Sequence, residues 1–286
     1  MIGTELVRQL RADGHEVQKL VRRAPKSADE LNWAPSAGML DANVMDSVDA
    51  VINLSGATIS KIPWTSSYKK KILESRLETT HALADAMSRA ANPPATFLCA
   101  SAVGIYGDRP GERLADDASR GTGFLADVVE AWEQAAHTAP AKTRVVTFRT
   151  GVVVGPGGAM KPLLLLTRFG LGSKIGTGGQ HWPWISLHDE AAAIRHLLFS
   201  RLTGSVNLAG PTPATADRLT KALAKRMHRP YAFSVPEAFL ATVLGEAGHD
   251  LLLSSQKVLP TRLIADGFSF RDPTVEDALD ALLAKK

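Results

Sequence analysis

Val48-Asp49-Ala50-Val51-Ile52-Asn53-Leu54 is a very apolar run of strand length. A helical pattern over residues 64–91 follows it, then Pro93-Pro94, then Thr96-Phe97-Leu98-Cys99-Ala100-Ser101. The prolines close the helix because they cannot donate the N–H that another turn needs. Near-continuous apolar strands separated by a long helix describe a parallel sheet buried on both faces. The alternation continues on either side. Residues 2–11 place Ile2, Leu6, Val7 and Leu10 on one helical face before Gly14, and 16–21 read as a short strand. Residues 124–136 read as a helix, 144–150 as a strand, and 205–208 as a strand returning to the sheet. This order predicts an α/β fold with a doubly wound parallel sheet.

Beyond Gly155 the composition changes. Pro156-Gly157-Gly158 leads to the run Leu163-Leu164-Leu165-Leu166, and residues 170–179 hold five glycines. Glycine at that density marks loops and turns. From Pro211 the chain reads as a small mixed lobe ending in a helix over 275–284. The expected organisation is a cofactor-binding domain over 1–155, continued by 189–210, with a C-terminal α+β lobe made of 156–188 and 211–286.

At 286 residues, 45% hydrophobic and 22% charged, the chain can bury a sizeable core. It lacks an uninterrupted apolar run of about 18 residues, and it opens in an amphipathic helix rather than a charged flank before an apolar stretch. A soluble, cytoplasmic protein without a membrane partner is expected. Cys99, the one cysteine, reads as a small buried hydrophobe, and no intrachain disulfide is possible. The net charge is +4, but the cations are scattered apart from Lys69-Lys70-Lys71 and Arg22-Arg23. Aromatic stacking platforms are missing, which argues against a nucleic-acid partner.

In dinucleotide-binding sheets the first strand runs through a glycine-rich turn into a helix whose N-terminus holds the pyrophosphate. A residue roughly 20 positions later meets the adenosine ribose. Met1-Ile2-Gly3 heads an amphipathic helix and reads as the tail of such a turn, with Gly3 its last glycine, or as an ordinary helix start. On the first reading Met1 falls inside the turn, and the first strand of the unit is expected to be missing from this chain, as in a clipped or mis-started form. The next strand ends in Val21-Arg22-Arg23, where an acid would favour NAD and an arginine accommodates a 2′-phosphate. Arg22, with Val21 beside it, therefore points to NADP; two solvated arginines are the alternative. Arg76 shares a helix face with Ile72, Thr79, Leu83 and Ala86. A cation on that stripe needs an anion, either a cofactor phosphate or a buried carboxylate.

Further motifs carry a family likeness over nearly the whole chain. Asp49-Ala50-Val51-Ile52-Asn53-Leu54-Ser55-Gly56-Ala57, Trp64 with Ser75-Arg76-Leu77-Glu78-Thr79-Thr80, and Ser101-Ala102-Val103-Gly104-Ile105-Tyr106-Gly107 resemble the atypical extended short-chain dehydrogenases known as epimerase-family proteins. So do Arg149-Thr150-Gly151-Val152-Val153-Val154-Gly155 and Gly178-Gly179-Gln180 before Trp184-Ile185. The stretches Val235-Pro236, Leu244-Gly245-Glu246, Gln256-Lys257-Val258-Leu259-Pro260 and Gly267-Phe268-Ser269-Phe270 resemble that family's C-terminal domain of unknown function. The resemblance implies an NAD(P)-binding Rossmann fold and NADP as cofactor. It also implies Leu54 and Ser55 beside the adenosine half, Arg76 near the phosphates and Val153 near the nicotinamide end.

Extended dehydrogenases use a Ser or Thr shortly before a Tyr-Gly, and a later Tyr-x-x-x-Lys whose lysine lowers the tyrosine pKa. Here Ala102 takes the hydroxyl position, with Ser101 one residue early, while Phe124 and Val128 take the tyrosine and lysine positions. Tyr106, His181, His188 and Asp189 are the titratable groups that could substitute, although Asp189 also reads as the N-cap of the helix that follows. An oxidoreductase acting on an unidentified small molecule is the leading reading. An NADP-sensing or scaffold protein is the alternative, and a nucleotide-sugar epimerase or dehydratase a weaker one.

Overall fold

A computed structural model describes residues 1–38 and 40–284. In chain order its elements are α1 (Ile2–Ala12), β1 (Lys19–Val21), β2 (Glu30–Asn32), α2 (Asn43–Asp46), β3 (Ala50–Asn53), α3 (Ser66–Arg89), β4 (Thr96–Ala102), β5 (Arg109–Leu114), α4 (Phe124–Ala136), β6 (Arg144–Thr150) and β7 (Val152–Val154). There follow α5 (Met160–Arg168), β8 (Gly172–Ile175), β9 (His181–Trp182), β10 (Trp184–Ser186), α6 (Leu187–Phe199), β11 (Gly204–Leu208), β12 (Ala214–Thr215), α7 (Ala216–Arg226) and β13 (Tyr231–Val235). The chain ends with α8 (Glu237–Gly248), β14 (Gln256–Val258), α9 (Thr261–Ala265) and α10 (Val275–Ala284).

The sheet that organises the fold is parallel throughout, in the order β11-β6-β4-β3, with Ala50 opposite Thr96, Thr96 opposite Arg144 and Gly204 opposite Val146. β4 reads as one apolar run because both faces are covered. Leu98 joins α1 and α6 in one core cluster through Leu6, Leu10, Ile194 and Leu197. Phe97 and Cys99 point the other way, against Leu83, Met87 and Trp132 of α3 and α4. The period-2 alternation of a strand thus sends neighbouring residues to opposite faces of the sheet. Cys99 is fully buried, and burial pushes its thiol up to about 12.

Some expectations change. The strand expected over 16–21 contracts to Lys19–Val21, because only those residues find a partner, β2, in a parallel ladder of their own. A three-residue strand carries no readable period, so β2 escapes a sequence reading. Val7 is half-buried, and Glu5 and Gln9 take buried places on α1 instead. Gln9 belongs there because its amide donates to the Glu5 carboxylate and to the His188 carbonyl. Ser186, not Asp189, caps α6, accepting the Asp189 N–H at 3.1 Å. Buried Asp189 turns its oxygens to the backbone N–H groups of Arg271 and Asp272 at 3.1 and 2.9 Å.

A second core gathers Val154, Met160, Ile175, Trp182 and Trp184 with Leu219, Leu223, Leu240 and Leu279. Trp184 lies against Gly210, where a Cβ would come within 2.6 Å of the indole. Buried carboxylates tie the C-terminal segment to the sheet. Asp116 accepts from the Asn207 and Arg262 N–H groups at 2.6 and 3.0 Å and from the Thr261 hydroxyl at 2.6 Å, and Asp189 grips the segment further along. Hydrogen bonds to charged acceptors are among the stronger ones.

Candidate functional site

Ligands of parallel sheets bind beyond the carboxyl ends of the strands, and the loop leaving β3 is built for such a place. Buried Asn53 accepts the Ser55 N–H at 3.0 Å and donates to Thr80 Oγ1 at 3.0 Å. Ser75 of α3 accepts the Ala57 N–H at 2.9 Å, which fixes the loop over α3. Under it lies Arg76. Its guanidinium donates to the Ile72 and Ala57 carbonyls at 2.8 and 3.2 Å and packs over the Trp132 ring at 4.9 Å. No carboxylate among the described residues pairs with it. The buried carboxylate left open above is therefore not its partner. Burial pulls its pKa down to about 10, so it stays cationic at neutral pH. A Cβ at Gly56 would press to 3.2 Å from Arg76 Cζ, so a glycine there leaves the guanidinium room.

Arg22 and Arg23 separate cleanly. Arg23 is committed to Glu30, at 2.7 and 2.8 Å. Arg22 is exposed and makes no hydrogen bond or ion pair among the described residues. It lines a cleft of about 550 Å³ with Trp33, Ser36, Ser67, Lys71, Thr79 and the acidic Glu78. Lys71 is likewise exposed and unpaired among the described residues, whereas Lys70 lies 3.5 Å from Glu74. Trp33 and Lys71 escape a sequence reading because nothing in the chain announces that the end of β1 lies across from α3.

Of the other expected contacts, Gly3 and Leu54 come together, a Cβ on the glycine reaching 3.5 Å from Leu54 Cδ1. That is ordinary contact, so this neighbour does not demand glycine. Val21 ends β1, its carbonyl accepting the Trp33 N–H at 3.1 Å. Ser55 is half-buried on the loop, and Val153 is turned into the first core, where Ile2 and Leu54 also pack.

The dyad positions are apolar in space as well as in sequence. Phe124 opens α4 half-buried, with Trp64 edge-on at 5.5 Å, and Val128 is 3% exposed. Ser101 is buried, donating to Glu133 at 2.6 Å. Tyr106 is fully buried; its hydroxyl donates to Asn207 Oδ1 at 2.7 Å and accepts from Arg149 at 3.0 Å. Burial raises its pKa despite Arg149, so it belongs to the scaffold rather than to proton exchange with a ligand. His188 Nδ1 lies 3.2 Å from Asp189, which is occupied with backbone. Half-buried His181 is held below the usual imidazole range by burial and by Lys257.

Fully buried Glu190 is a group that the sequence did not single out. One oxygen accepts from Thr150 Oγ1 at 2.7 Å, and the other has no partner among the described residues. Burial pushes its pKa up to about 8. A folded-state pKa above the ordinary 4.5 means stability that is full below 4.5 and lost as pH rises to about 8. Glu190→Gln should therefore flatten the pH dependence in that window and leave the variant more stable than the parent at pH 8.5, by a few kcal/mol at most. Urea unfolding at pH 5, 7 and 8.5 checks this; a variant less stable at all three would refute it.

The parallel sheet, its helices on both faces and the loops at its carboxyl edge define a Rossmann-type NAD(P)-binding protein. Comparison with known proteins narrows this. The NAD dependent epimerase/dehydratase family matches residues 1–209, and a domain of unknown function, DUF1731, matches 235–282. The chain belongs to that epimerase/dehydratase family. It is 38% identical over 282 residues to the epimerase family protein Mb2239 of Mycobacterium bovis, covering 98% of this chain and 93% of that protein. It is 35% identical over 288 residues to the epimerase family protein SDR39U1 of Homo sapiens, covering 99% and 96%. The crystal structure of human SDR39U1 (isoform 2) with NADPH superposes with a TM-score of 0.92 at 33% identity, covering 100% of this chain and 97% of that one.

Proposed function

We propose that this protein binds NADP and acts as an oxidoreductase on a small carbonyl compound held between its two cores. The observation that carries the reading is the pair of unpaired cations, Arg22 and Lys71, facing one cleft beside the end of β1. A 2′-phosphate is the group such a pair suits. Arg76, lacking a carboxylate among the described residues, fits a backbone phosphate of the same cofactor. The NADPH complex of the human relative supports the choice of cofactor. Bound there, NADPH would supply a hydride to the carbonyl carbon while the oxygen takes its proton from solvent; the chain's part is to hold the cofactor and orient the substrate.

A sensor or scaffold role is favoured by Phe124 and Val128, which leave the usual phenol and lysine positions without a titratable group. The same two residues weigh against nucleotide-sugar epimerisation. Anaerobic NADPH oxidation across a carbonyl library separates the readings. Turnover of any member supports the enzyme, tight binding without turnover supports the sensor, and no binding defeats both. In the same assays Arg22→Ala should weaken NADPH about tenfold to a hundredfold, since a charge-assisted hydrogen bond contributes about 1.5 to 3 kcal/mol. NADH affinity should hold, and equal losses for both cofactors would refute the role given to Arg22.

A further inference from the structure

α3 lies on the crossover from β3 to its parallel neighbour β4, and α4 on the crossover from β4 to β6, so the N-terminal turn of each stands toward the carboxyl, ligand-binding edge of the sheet. Lys69 lies in the first turn of α3 and Phe124 opens α4. The Lys69 ammonium sits 4.7 Å from the centre of the Phe124 ring, against the same ring that Trp64 meets edge-on. An aromatic face offsets part of the cost of drawing a cation out of water. The partner of Lys69 is Glu246, 177 residues away, on the helix whose Leu240 enters the second core. Glu246 follows Gly245, which breaks α8 with φ 57° and ψ −141°.

This ion pair does not hold the two cores together. Its side chains are 27% and 44% exposed, and exposed pairs contribute little. Buried Asp116 and Asp189, with their backbone partners, already bind the C-terminal segment to the sheet. An incoming carboxylate can therefore replace Glu246 like for like. A single ammonium against an aromatic wall suits a monoanion. A phosphate dianion would call for a second cation, and the neighbouring group whose pKa feels both Lys69 and Glu246 is another acid, Asp250.

We infer that Lys69 is the anion-recognition residue of the substrate site, that Glu246 holds the place of a substrate carboxylate, and that the substrate is a small carbonyl compound bearing a carboxylate. The inference rests on the reading that substrate binds between the two cores. Its experiment is saturation-transfer NMR on the full chain, with and without NADPH, using benzoylformate and its methyl ester as matched probes. The wild type should bind the acid about tenfold more tightly than the ester. Lys69→Met should erase that difference by weakening the acid alone, and Glu246→Gln should tighten the acid about threefold and leave the ester unchanged. Thermal melts establish that both variants fold. Equal binding of acid and ester by the wild type, no detectable binding of the acid, or unchanged acid binding in Glu246→Gln would overturn the inference. Loss of NADPH binding alone would count against the cofactor reading and leave the acid-ester contrast to decide Lys69.

Discussion

Arg149→Met should lower the unfolding free energy by about 3 to 5 kcal/mol at pH 7, because it strands a buried carboxylate. Arg149 Nε and a terminal nitrogen reach the two Glu133 oxygens at 2.8 and 2.9 Å, while its other nitrogen donates to the Tyr106 hydroxyl at 3.0 Å and the Asp116 carbonyl at 3.2 Å. The side chains are 10% and 12% exposed. Burial pushes the Glu133 pKa up, but Arg149 and the Ser101 and Ser205 hydroxyls outweigh it, and the net shift is downward. Without Arg149, burial dominates and the sign reverses. A raised carboxylate pKa gives stability that is present at low pH and lost as pH rises. The variant's deficit should therefore be smallest near pH 5 and grow toward pH 8. Adding Glu133→Gln should recover more than half of the loss, since no charge is then left buried. Denaturant titrations at three pH values test this, and a deficit below about 1 kcal/mol at pH 7 would sink it.

Arg76→Met should do the reverse. It should weaken NADPH about tenfold to a hundredfold while leaving the unliganded protein unchanged or up to about 1 kcal/mol more stable. Arg76 is half-buried without the carboxylate that compensates Arg149, and its lowered pKa, about 10, records that burial disfavours its charge. Two backbone carbonyls, the Trp132 face and nearby Tyr68 offset it in part. Methionine keeps the stem packing and removes the charge. Calorimetric NADPH titration and thermal unfolding of the free protein give the two readouts. A variant destabilised as strongly as Arg149→Met, with cofactor affinity intact, would make Arg76 a structural residue.

Both arginines sit where a reader of the sequence sees similar things, a cation amid apolar neighbours. Arg76 was legible as an unsatisfied charge because helical spacing alone puts it beside Ile72, Thr79 and Leu83, all buried in the structure. Arg149 was not, because its partners Glu133, Tyr106 and Asp116 come from three other segments. Tyr106 and Ser101 read as chemical candidates for the same reason: the network that occupies them is assembled only by folding. Arg22 and Arg23 were adjacent and equivalent in sequence, and the β1–β2 ladder assigned one to Glu30 and left the other facing a cleft.

By itself the sequence determined the parallel sheet, the helices on its two faces, the carboxyl-edge loop at Leu54 and Ser55, and the loss of the tyrosine-lysine dyad. These depend on local period, on proline and glycine punctuation and on residue identity, all of which a linear chain displays. Only the tertiary structure decided which charges are paired. It set Lys71 across from Arg22, Glu246 against Lys69, and Asp189 on the backbone of Arg271 and Asp272. A charge is accounted for by whatever stands a few ångströms away, and that neighbour is chosen by packing between segments far apart in the chain.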